Sequence, residues 1–284
     1  LQPALARGYS SSGSYGSMGT GWSVSGLGAI TRCPNTIAQD GFRAPVNYDN
    51  QETNDAYCLG GQRLVAVTEL TPDPGFLVPC SGIFCPTING IQQLYAKKQE
   101  FRTEIESYAR ITGYKEWPQL TAGFSRFVVE TKDGKVMHYS RRFKPMTNGY
   151  DTCTVVVGSQ PQPFSCTNGV IANRVKLFVL DRVEDAAGNS MDIEYHTTRP
   201  TNSSEATYVV DWEPYGALRM SDVGGNGSYP PTEILPKVIK YASGHEVRFT
   251  YDEHPLTAQL RSFDSGAGEG VITQRLTGIE SWAD

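Results

Sequence analysis

A strand–turn–strand plan that recurs in the second half of the chain constrains the fold more than any other feature. The three copies are residues 127–139, 180–195 and 235–251. Each has an apolar strand, a turn glycine and an alternating strand that leads into a tyrosine; these residues are Gly134 and Tyr139, Gly188 and Tyr195, and Gly244 and Tyr251. Alternation with a period of two is typical of a strand with one buried face, and Asp/Asn/Gly turns favour hairpins.

A single hairpin cannot bury its apolar face, so neighbouring hairpins must stack into a continuous sheet. The three tyrosines stand 56 residues apart each time, which leaves room for insertions between the hairpins. Residues 276–284 match the first half of the plan and stop where the turn is expected. We therefore predict an all-β fold with little helix, whose successive antiparallel hairpins form a curved, shell-like sheet that continues beyond residue 284.

The first part of the chain contains a glycine-rich stretch around Trp22. Five glycines fall within residues 13–26, among them Gly19 and Gly21. Such a cluster is typical of tight turns, because glycine adopts positive φ without steric cost. We expect a strand, a glycine-rich turn that carries a buried Trp22, and a second strand. A phosphate-binding loop would require a following helix N-terminus, and none is predicted here.

Charge and hydropathy exclude several classes of function. The 284 residues carry a net charge of −5, whereas nucleic-acid binding requires a basic surface. No segment approaches the roughly 18 consecutive apolar residues of a transmembrane helix. Residues 1–5 resemble the middle of a strand, so we expect further chain before them. The abundance of glycine and tyrosine suits short strands that are joined by turns.

Six cysteines suggest an oxidising compartment. They are Cys33, Cys58, Cys80, Cys85, Cys153 and Cys166. Their spacing lacks the Cys-x-x-Cys pattern of zinc sites, and an even number at long spacings favours disulfides. Six cysteines allow 15 pairings. We expect nearest-neighbour pairing, Cys33 with Cys58, Cys80 with Cys85 and Cys153 with Cys166; the alternative is a set of reduced core cysteines.

Candidates for catalysis or cofactor binding are weak. No nucleophile elbow, zinc-protease motif, phosphate-binding loop or dinucleotide fingerprint is present. The four histidines, His138, His196, His245 and His254, are expected on exposed strand faces or turns. Acids and amides in residues 33–58 do not follow the spacing of a calcium-binding EF-hand loop. Glu104 and Glu106 alternate along a predicted strand and are expected to share a solvent-exposed face. We therefore predict no enzyme activity, no cofactor and no metal.

Several segments resemble the N-terminal domain of the SpvB family, which opens the B subunits of insecticidal toxin complexes and related Rhs (YD-repeat) proteins. The motifs are in residues 9–32, 55–65, 101–105 and 127–139, and the resemblance covers most of the chain. It favours a strand for residues 91–101, which by themselves are compatible with a short helix. Residues 57–70 are expected to form a hairpin closed by Gly60 and Gly61, and the proline-rich residues 71–86 a stiff loop.

The resemblance also implies an organisation and a function. We predict a glycine-rich N-terminal β region with cysteine-containing loops over residues 1–126, and a hairpin-repeat β-shell over residues 127–284. Such a segment belongs to a secreted protein and helps to enclose or deliver a C-terminal toxin payload. Its partners are the rest of its own longer chain, that payload and other toxin-complex subunits. Its location is extracellular, or periplasmic in transit.

A second hypothesis stays open. A secreted β-domain of this composition can bind a carbohydrate or a host-cell surface through exposed aromatic side chains. The candidates are Tyr48, Tyr114, Trp117, Trp212 and Tyr215.

Overall fold

The computed structural model describes residues 1–11, 15–46, 55–79, 87–88, 91–115, 124–143, 152–157, 160–165, 177–200, 208–212, 233–242, 244–253, 260–264, 268–272 and 274–283. These residues form β-strands and one four-residue helix, α1 (Ile37–Asp40). The predicted all-β fold with little helix is confirmed.

The strands follow one another closely along the chain. Those of the first half are β1 (Ala6–Tyr9), β2 (Tyr15–Gly16), β3 (Gly19–Thr20), β4 (Trp22–Ser25), β5 (Ala29–Cys33), β6 (Ala56–Leu59), β7 (Gln62–Ala66), β8 (Thr71–Pro79), β9 (Thr87–Ile88), β10 (Ile91–Thr103), β11 (Arg110–Lys115), β12 (Arg126–Glu130) and β13 (Val136–Phe143). Those of the second half are β14 (Thr152–Val157), β15 (Gln160–Ser165), β16 (Leu177–Glu184), β17 (Ser190–Pro200), β18 (Tyr208–Trp212), β19 (Glu233–Tyr241), β20 (His245–Glu253), β21 (Leu260–Asp264), β22 (Gly268–Ile272) and β23 (Gln274–Ala283).

The chain divides into two compact units that are interleaved in sequence. The first unit contains residues 28–142 and 177–190 together with Leu1, and the second contains residues 2–27, 143–176 and 191–284. These limits differ from the predicted segments 1–126 and 127–284, whose boundary falls inside strand β12. Each unit is held together by pairing between strands that are distant in sequence, which a composition-based boundary does not reveal.

The first unit is a closed barrel of eight strands. Their order around the ring is β13-β12-β11-β10-β7-β6-β5-β16, and pairing of β13 with β16 closes it. The seven neighbouring pairs along this path are antiparallel. Strands β6 and β7 form the predicted hairpin, with Gly60 and Gly61 at φ 58° and 80° in its two-residue turn. Closure leaves these eight strands without a free edge along the ring.

Strand β10 is long enough to pair with elements outside the ring. Its 13 residues contact β7 and β11 near their C-terminal end, and β8 and β9 nearer their start. The predicted strand over residues 91–101 is confirmed. The predicted loop over residues 71–86 is wrong for residues 71–79, which form β8. Its prolines are tolerated because Pro72 and Pro79 pair with a single neighbour, β10, among the described strands.

Aromatic side chains fill the interior of the barrel. The rings of Phe124 and Phe127 lie 5.2 Å apart, and that of Phe178 from the closing strand β16 lies 4.9 Å from Phe127. Tyr57 contacts Phe127 at 5.3 Å between ring centroids, and Phe101 contacts Phe124 at 5.4 Å. An eight-stranded barrel has an interior of the width that side chains can fill. This cluster is therefore the core of the first unit.

The second unit contains an antiparallel sheet of order β18-β17-β19-β20-β23. Strand β20 alternates, with Val247 and Phe249 buried and Arg248 and Thr250 exposed, as predicted for a strand with one buried face. Strands β1 and β4 form a separate hairpin around the shorter pair β2–β3. The backbone N–H of Leu276 in β23 donates to the carbonyl of Ser17, which links that hairpin to the sheet.

Candidate functional site

A cavity of 600 Å³ lies at the barrel in the first unit. Strands β6, β7, β10 and β11, helix α1 and Phe124 supply its walls. The apolar wall consists of Leu64, Ala66, Leu70, Phe101 and Phe124. Leu64, Phe101 and Phe124 are buried parts of the barrel core, so this wall is held by the packing of the whole unit.

Two ion pairs occupy the polar side of this cavity. Arg32 in β5 and Asp55 before β6 lie 2.8 Å apart, with side chains only 5% and 1% exposed. Arg63 in β7 pairs with Asp40 at the end of α1. The third carboxylate of the lining, that of Glu104, accepts a hydrogen bond from the Gln39 amide. Asp55 and Asp40 thus have the partner that a buried charge requires, and the exposed Glu104 is held by the Gln39 amide.

Lys115 is a buried cation in the cavity wall. It is the last residue of β11 and is 1% exposed. Its ammonium nitrogen lies 5.2 Å from the centroid of the Phe124 ring. Burial lowers the pKa of Lys115 to about 8, because the protein interior solvates the charged form poorly. Burial likewise raises the pKa of the nearby Tyr57 phenol, which stays neutral at physiological pH.

Sequence reasoning missed this lysine and the Arg32–Asp55 pair. A local signal for Lys115 would be a strict alternation of buried and exposed residues in β11. Thr112 is buried between Ile111 and Gly113, so burial in this strand does not follow a period of two. The Arg32–Asp55 pair has no such signal, because its members are separated by 23 residues and meet only through the pairing of β5 with β6.

The predicted turn glycines lie where the chain reverses. Gly134, Gly188 and Gly244 have φ of 80°, 83° and 77°, a region that favours glycine. In the turn at Gly188, the Asp185 carboxylate accepts hydrogen bonds from the backbone N–H groups of Ala187 and Asn189, each at 2.9 Å.

The three hairpin tyrosines occupy related positions with different burial. Tyr139 is 1% exposed, Tyr195 is also buried, and Tyr251 is half-buried. Burial raises the pKa of Tyr139 to about 12. The Tyr251 hydroxyl donates to the carbonyl of Pro236 at 2.8 Å. Tyr139 and Tyr195 are thus core residues, whereas Tyr251 keeps a solvent-exposed part.

Trp22 is not buried as expected. It is 45% exposed and packs against Tyr9, with 5.2 Å between the ring centroids. The two residues are directly opposite in the β1–β4 register, and the short hairpin has too few strands to enclose both rings. Gly19, the first residue of β3, and Gly21, between β3 and β4, have φ of 97° and 76°, a region that favours glycine.

One of the three expected disulfides lies within the described residues. Cys33 and Cys58 are bonded and join β5 to β6, as predicted. The pairings of Cys80 with Cys85 and of Cys153 with Cys166 concern side chains outside the described part of the chain and remain predictions.

The expected exposure of the histidines is wrong at two positions. His138 in β13 and His196 in β17 are half-buried, and burial lowers the pKa of both below the usual 6.5. The period-two pattern assigned them to a polar face that the fold partly covers. His245 is exposed as predicted, and His254 lies outside the described residues.

Glu104 and Glu106 do not share a strand. Strand β10 ends at Thr103, and both glutamates lie in the exposed segment that follows it. The Glu106 carboxylate accepts a hydrogen bond from the backbone N–H of Tyr108. No group of three or more metal-ligating side chains occurs among the described residues. Within that same part of the chain, no helix is both long and apolar enough to span a membrane.

The aromatic residues proposed for carbohydrate binding are largely outside the described side chains. This applies to Tyr48, Trp117, Trp212 and Tyr215. Tyr114 is half-buried, and its ring is covered by the Arg126 guanidinium at 3.9 Å from the centroid. The Arg126 group also lies 5.0 Å from the Phe76 ring, so this stack attaches β8 to the barrel wall.

Comparisons with known proteins connect this architecture to toxin complexes. No protein-family model and no curated protein matches the sequence. Among solved structures, TcdB2-TccC3 matches with a TM-score of 0.61 and 13% identity, over 100% of this chain and 13% of the matched chain. The Photorhabdus luminescens Tc holotoxin pore matches with a TM-score of 0.58 and 13% identity, over 99% of this chain and 12% of the matched chain.

The N-terminal domain of the effector protein SpvB from Salmonella typhimurium strain LT2 matches with a TM-score of 0.48 and 12% identity, over 99% of this chain and 94% of that domain. This chain spans only 12–13% of the toxin-complex chains that it matches. The likeness to toxin-complex chains that the sequence predicts is confirmed at the level of the fold, since the chain has the fold of the matched region of the TcdB2-TccC3 chains.

Proposed function

We propose that this chain is a non-catalytic structural segment of a secreted, toxin-complex-like protein and forms part of a β-shell that encloses or delivers a C-terminal payload. The observation that carries this proposal is the likeness to TcdB2-TccC3 along the entire chain, with a TM-score of 0.61. The match extends over the full length of the chain rather than over one hairpin, which supports a role for the whole chain as a single structural segment.

Two features of the described residues support a structural role. The barrel interior is filled by packed aromatic rings, which suits a rigid support. The three acids that line the cavity are each held by Arg32, Arg63 or Gln39, and an acid that is held in this way is a poor general base. The proposed extracellular location agrees with the Cys33–Cys58 disulfide, since such bonds persist in oxidising compartments.

Protease protection of the C-terminal region in the full-length protein tests this function. If the segment is part of an enclosing wall, that region is digested more slowly in the full-length protein than when it is expressed alone. Phe249→Ala removes a buried side chain from the sheet of the second unit and is expected to increase the digestion rate. Thr250→Ala, at the exposed neighbouring position, is the control. Equal digestion of the free and full-length forms would contradict the proposal.

A specific observation also favours a second candidate, binding of a carbohydrate. Tyr9 and Trp22 form an exposed aromatic pair, 63% and 45% accessible, and such rings are suited to stacking on sugar faces. If this pair binds a carbohydrate, the wild-type chain should bind to a glycan array and the Trp22→Ala variant should not. Trp282→Ala is the matched control, because Trp282 is similarly exposed but lies 4.7 Å from the Arg248 guanidinium.

A further inference from the structure

We propose that the hairpin face that carries Tyr9 and Trp22 binds an acidic sugar, and that Arg7 binds the carboxylate of this sugar. The inference rests on the carbohydrate-binding candidate described above and deepens it, because it assigns the charge of the ligand and a second part of the site. The whole site lies within the second unit, on the hairpin of β1 and β4 and on strand β23.

Four side chains share one face of the β1–β4 hairpin. Tyr9 is paired with Trp22, and Arg7 is paired with Val24, in the antiparallel register. Residues two positions apart along a strand point to the same face, so Arg7 lies on the face of Tyr9, and Val24 on that of Trp22. Diagonal neighbours on such a face are within reach of long side chains. The Arg7 guanidinium can therefore reach a ligand that is stacked on the Trp22 ring.

The aromatic pair is held in a fixed arrangement. The Tyr9 ring lies 5.2 Å from the Trp22 ring between centroids. A Cβ atom at Gly21 would lie 2.8 Å from the Tyr9 ring and 2.5 Å from the carbonyl oxygen of Ser10, so the ring occupies space that only glycine leaves free. The two rings are nevertheless 63% and 45% exposed. They form a preorganised apolar surface on which the C–H face of a sugar ring can stack.

A pocket of 340 Å³ adjoins this aromatic pair. Arg7 and Val24 belong to its lining, and Met18 and Leu276 contribute half-buried apolar side chains. The backbone N–H of Leu276 donates to the carbonyl of Ser17 at 2.7 Å, which attaches β23 to the hairpin beside the pocket. The volume is at the lower end of the range of about 300–1,000 Å³ that is typical of small-molecule sites. The pocket therefore suits a small ligand such as one ring of an oligosaccharide.

The charge of the site favours an acid over a neutral sugar. Arg7 is exposed and is the only charged residue among the described residues that line the pocket. Neither strand of the hairpin contains an acidic residue. A guanidinium stays protonated at any pH at which proteins are folded, and its planar donors match the two oxygens of a carboxylate. A neutral sugar gains only the stacking and pocket contacts, whereas an acidic sugar also gains the interaction with Arg7.

The experiment is calorimetric titration of this chain with cellotriuronate and cellotriose, which differ only in that a carboxylate replaces the hydroxymethyl group of each ring. At an ionic strength of about 0.1 M, we expect the acid to bind about 3- to 10-fold more tightly. Arg7→Gln should remove this preference and leave the affinity for cellotriose within about twofold. Trp22→Ala should weaken both trisaccharides by about tenfold. Ser23→Ala, on the opposite face of the same hairpin, is the control and should change neither affinity.

The outcomes separate this proposal from the carbohydrate-binding candidate. If the two trisaccharides bind equally and Trp22→Ala weakens both, the acid preference is wrong and the candidate stands. A preference for the acid that persists in Arg7→Gln would also overturn the proposal. So would the absence of binding of both trisaccharides, and the candidate falls with it only if the glycan array is negative as well.

A salt series on the wild-type chain is independent of whether a variant folds. The preference for cellotriuronate should shrink as the ionic strength rises from about 0.1 M to about 1 M, because salt screens an exposed ion pair. The affinity for cellotriose should stay constant over the same range. A preference for the acid that does not change with salt would exclude an ion pair with Arg7.

Discussion

At the scale of single residues, the barrel core tolerates little extra volume and contains one unusual cation. Gly113 in β11 faces the aromatic cluster, and a Cβ atom at this position would lie 2.7 Å from Phe124 and 2.9 Å from Phe127. Lys115 lies two residues further along the same strand and is also buried. The strand thus combines a position that must be small with a position where a charge is costly.

Gly113→Ala is expected to destabilise the first unit by about 1–3 kcal/mol, because the new methyl group forces two packed rings to move. Gly278→Ala is the matched control. This strand glycine would place its Cβ 3.6 Å from Thr250, an ordinary contact, and should change stability by less than about 0.5 kcal/mol. Urea unfolding of both variants measures the difference. Equal stability of the two variants would show that the aromatic cluster is loosely packed.

Lys115→Met is expected to stabilise the protein at neutral pH, with an advantage that shrinks as pH rises. Burial lowers the pKa of Lys115 from 10.5 to about 8. Below pH 8 Lys115 is protonated in both the folded and the unfolded state, so burying its charge lowers the stability of the folded state. Between about pH 8 and 10.5 only the unfolded state keeps the proton, and wild-type stability rises with pH by up to about 3 kcal/mol.

The measurement is the difference in unfolding free energy between Lys115→Met and the wild type at pH 7 and at pH 10. Lys132→Met is the control, since Lys132 is exposed in the turn between β12 and β13 of the same unit. A stability difference for Lys115→Met that does not change with pH would rule out the lowered pKa.

At the scale of secondary-structure elements, hairpins are the unit of construction, and a covalent bond reinforces one junction between strands. Cys33 at the end of β5 and Cys58 in β6 are joined across a sequence separation of 25 residues that includes helix α1. The same segment contributes Asp40 and Gln39 to the cavity. The disulfide thus restrains the element that positions the polar side of the site.

Loss of this disulfide is expected to cost about 2–4 kcal/mol, because the open segment gains conformational freedom in the unfolded chain. Cys33→Ala, Cys58→Ala and the double variant should be destabilised to a similar extent, since each removes the same bond. Thermal and urea unfolding under oxidising conditions test this. Additive effects of the two single variants would indicate that the thiols contribute through packing and not through the bond.

At the scale of the whole molecule, a compact unit is assembled from segments that are distant in sequence. The barrel takes seven strands from residues 28–142 and its eighth, β16, from residues 177–184. Phe178 and Leu180 of that strand are buried, and the Leu180 N–H donates to the carbonyl of Gly28. Strand β16 therefore both closes the ring and completes its core.

Residues 28–142 alone are expected to aggregate or remain unfolded, because β5 and β13 would become open edges beside an incomplete core. Residues 28–190, which include β16, should give a soluble product with cooperative thermal unfolding. Circular dichroism and size-exclusion chromatography compare the two fragments. A stable, monomeric 28–142 fragment would show that the eighth strand is dispensable.

The strands around the candidate site could be predicted from the sequence, but most of the side-chain contacts within the site could not. The pairing of Cys33 with Cys58 follows from the expectation that each cysteine pairs with its nearest neighbour in sequence. The expectation of a buried Trp22 failed because a large apolar side chain alone does not indicate whether enough strands surround it. The cavity was missed because its residues come from β6, β7, β10, β11 and α1, which converge only when the ring closes.

The sequence by itself determined the local structure: strands from period-two alternation, turns from Gly134, Gly188 and Gly244, and a fold dominated by hairpins. These signals are local, because each depends on the conformations open to a few consecutive residues. Only the tertiary structure decided that β13 meets β16, that Lys115 is buried and that Trp22 is exposed. Those outcomes depend on which distant strands pair. A side chain is shielded from water only once the barrel or the sheet has assembled around it.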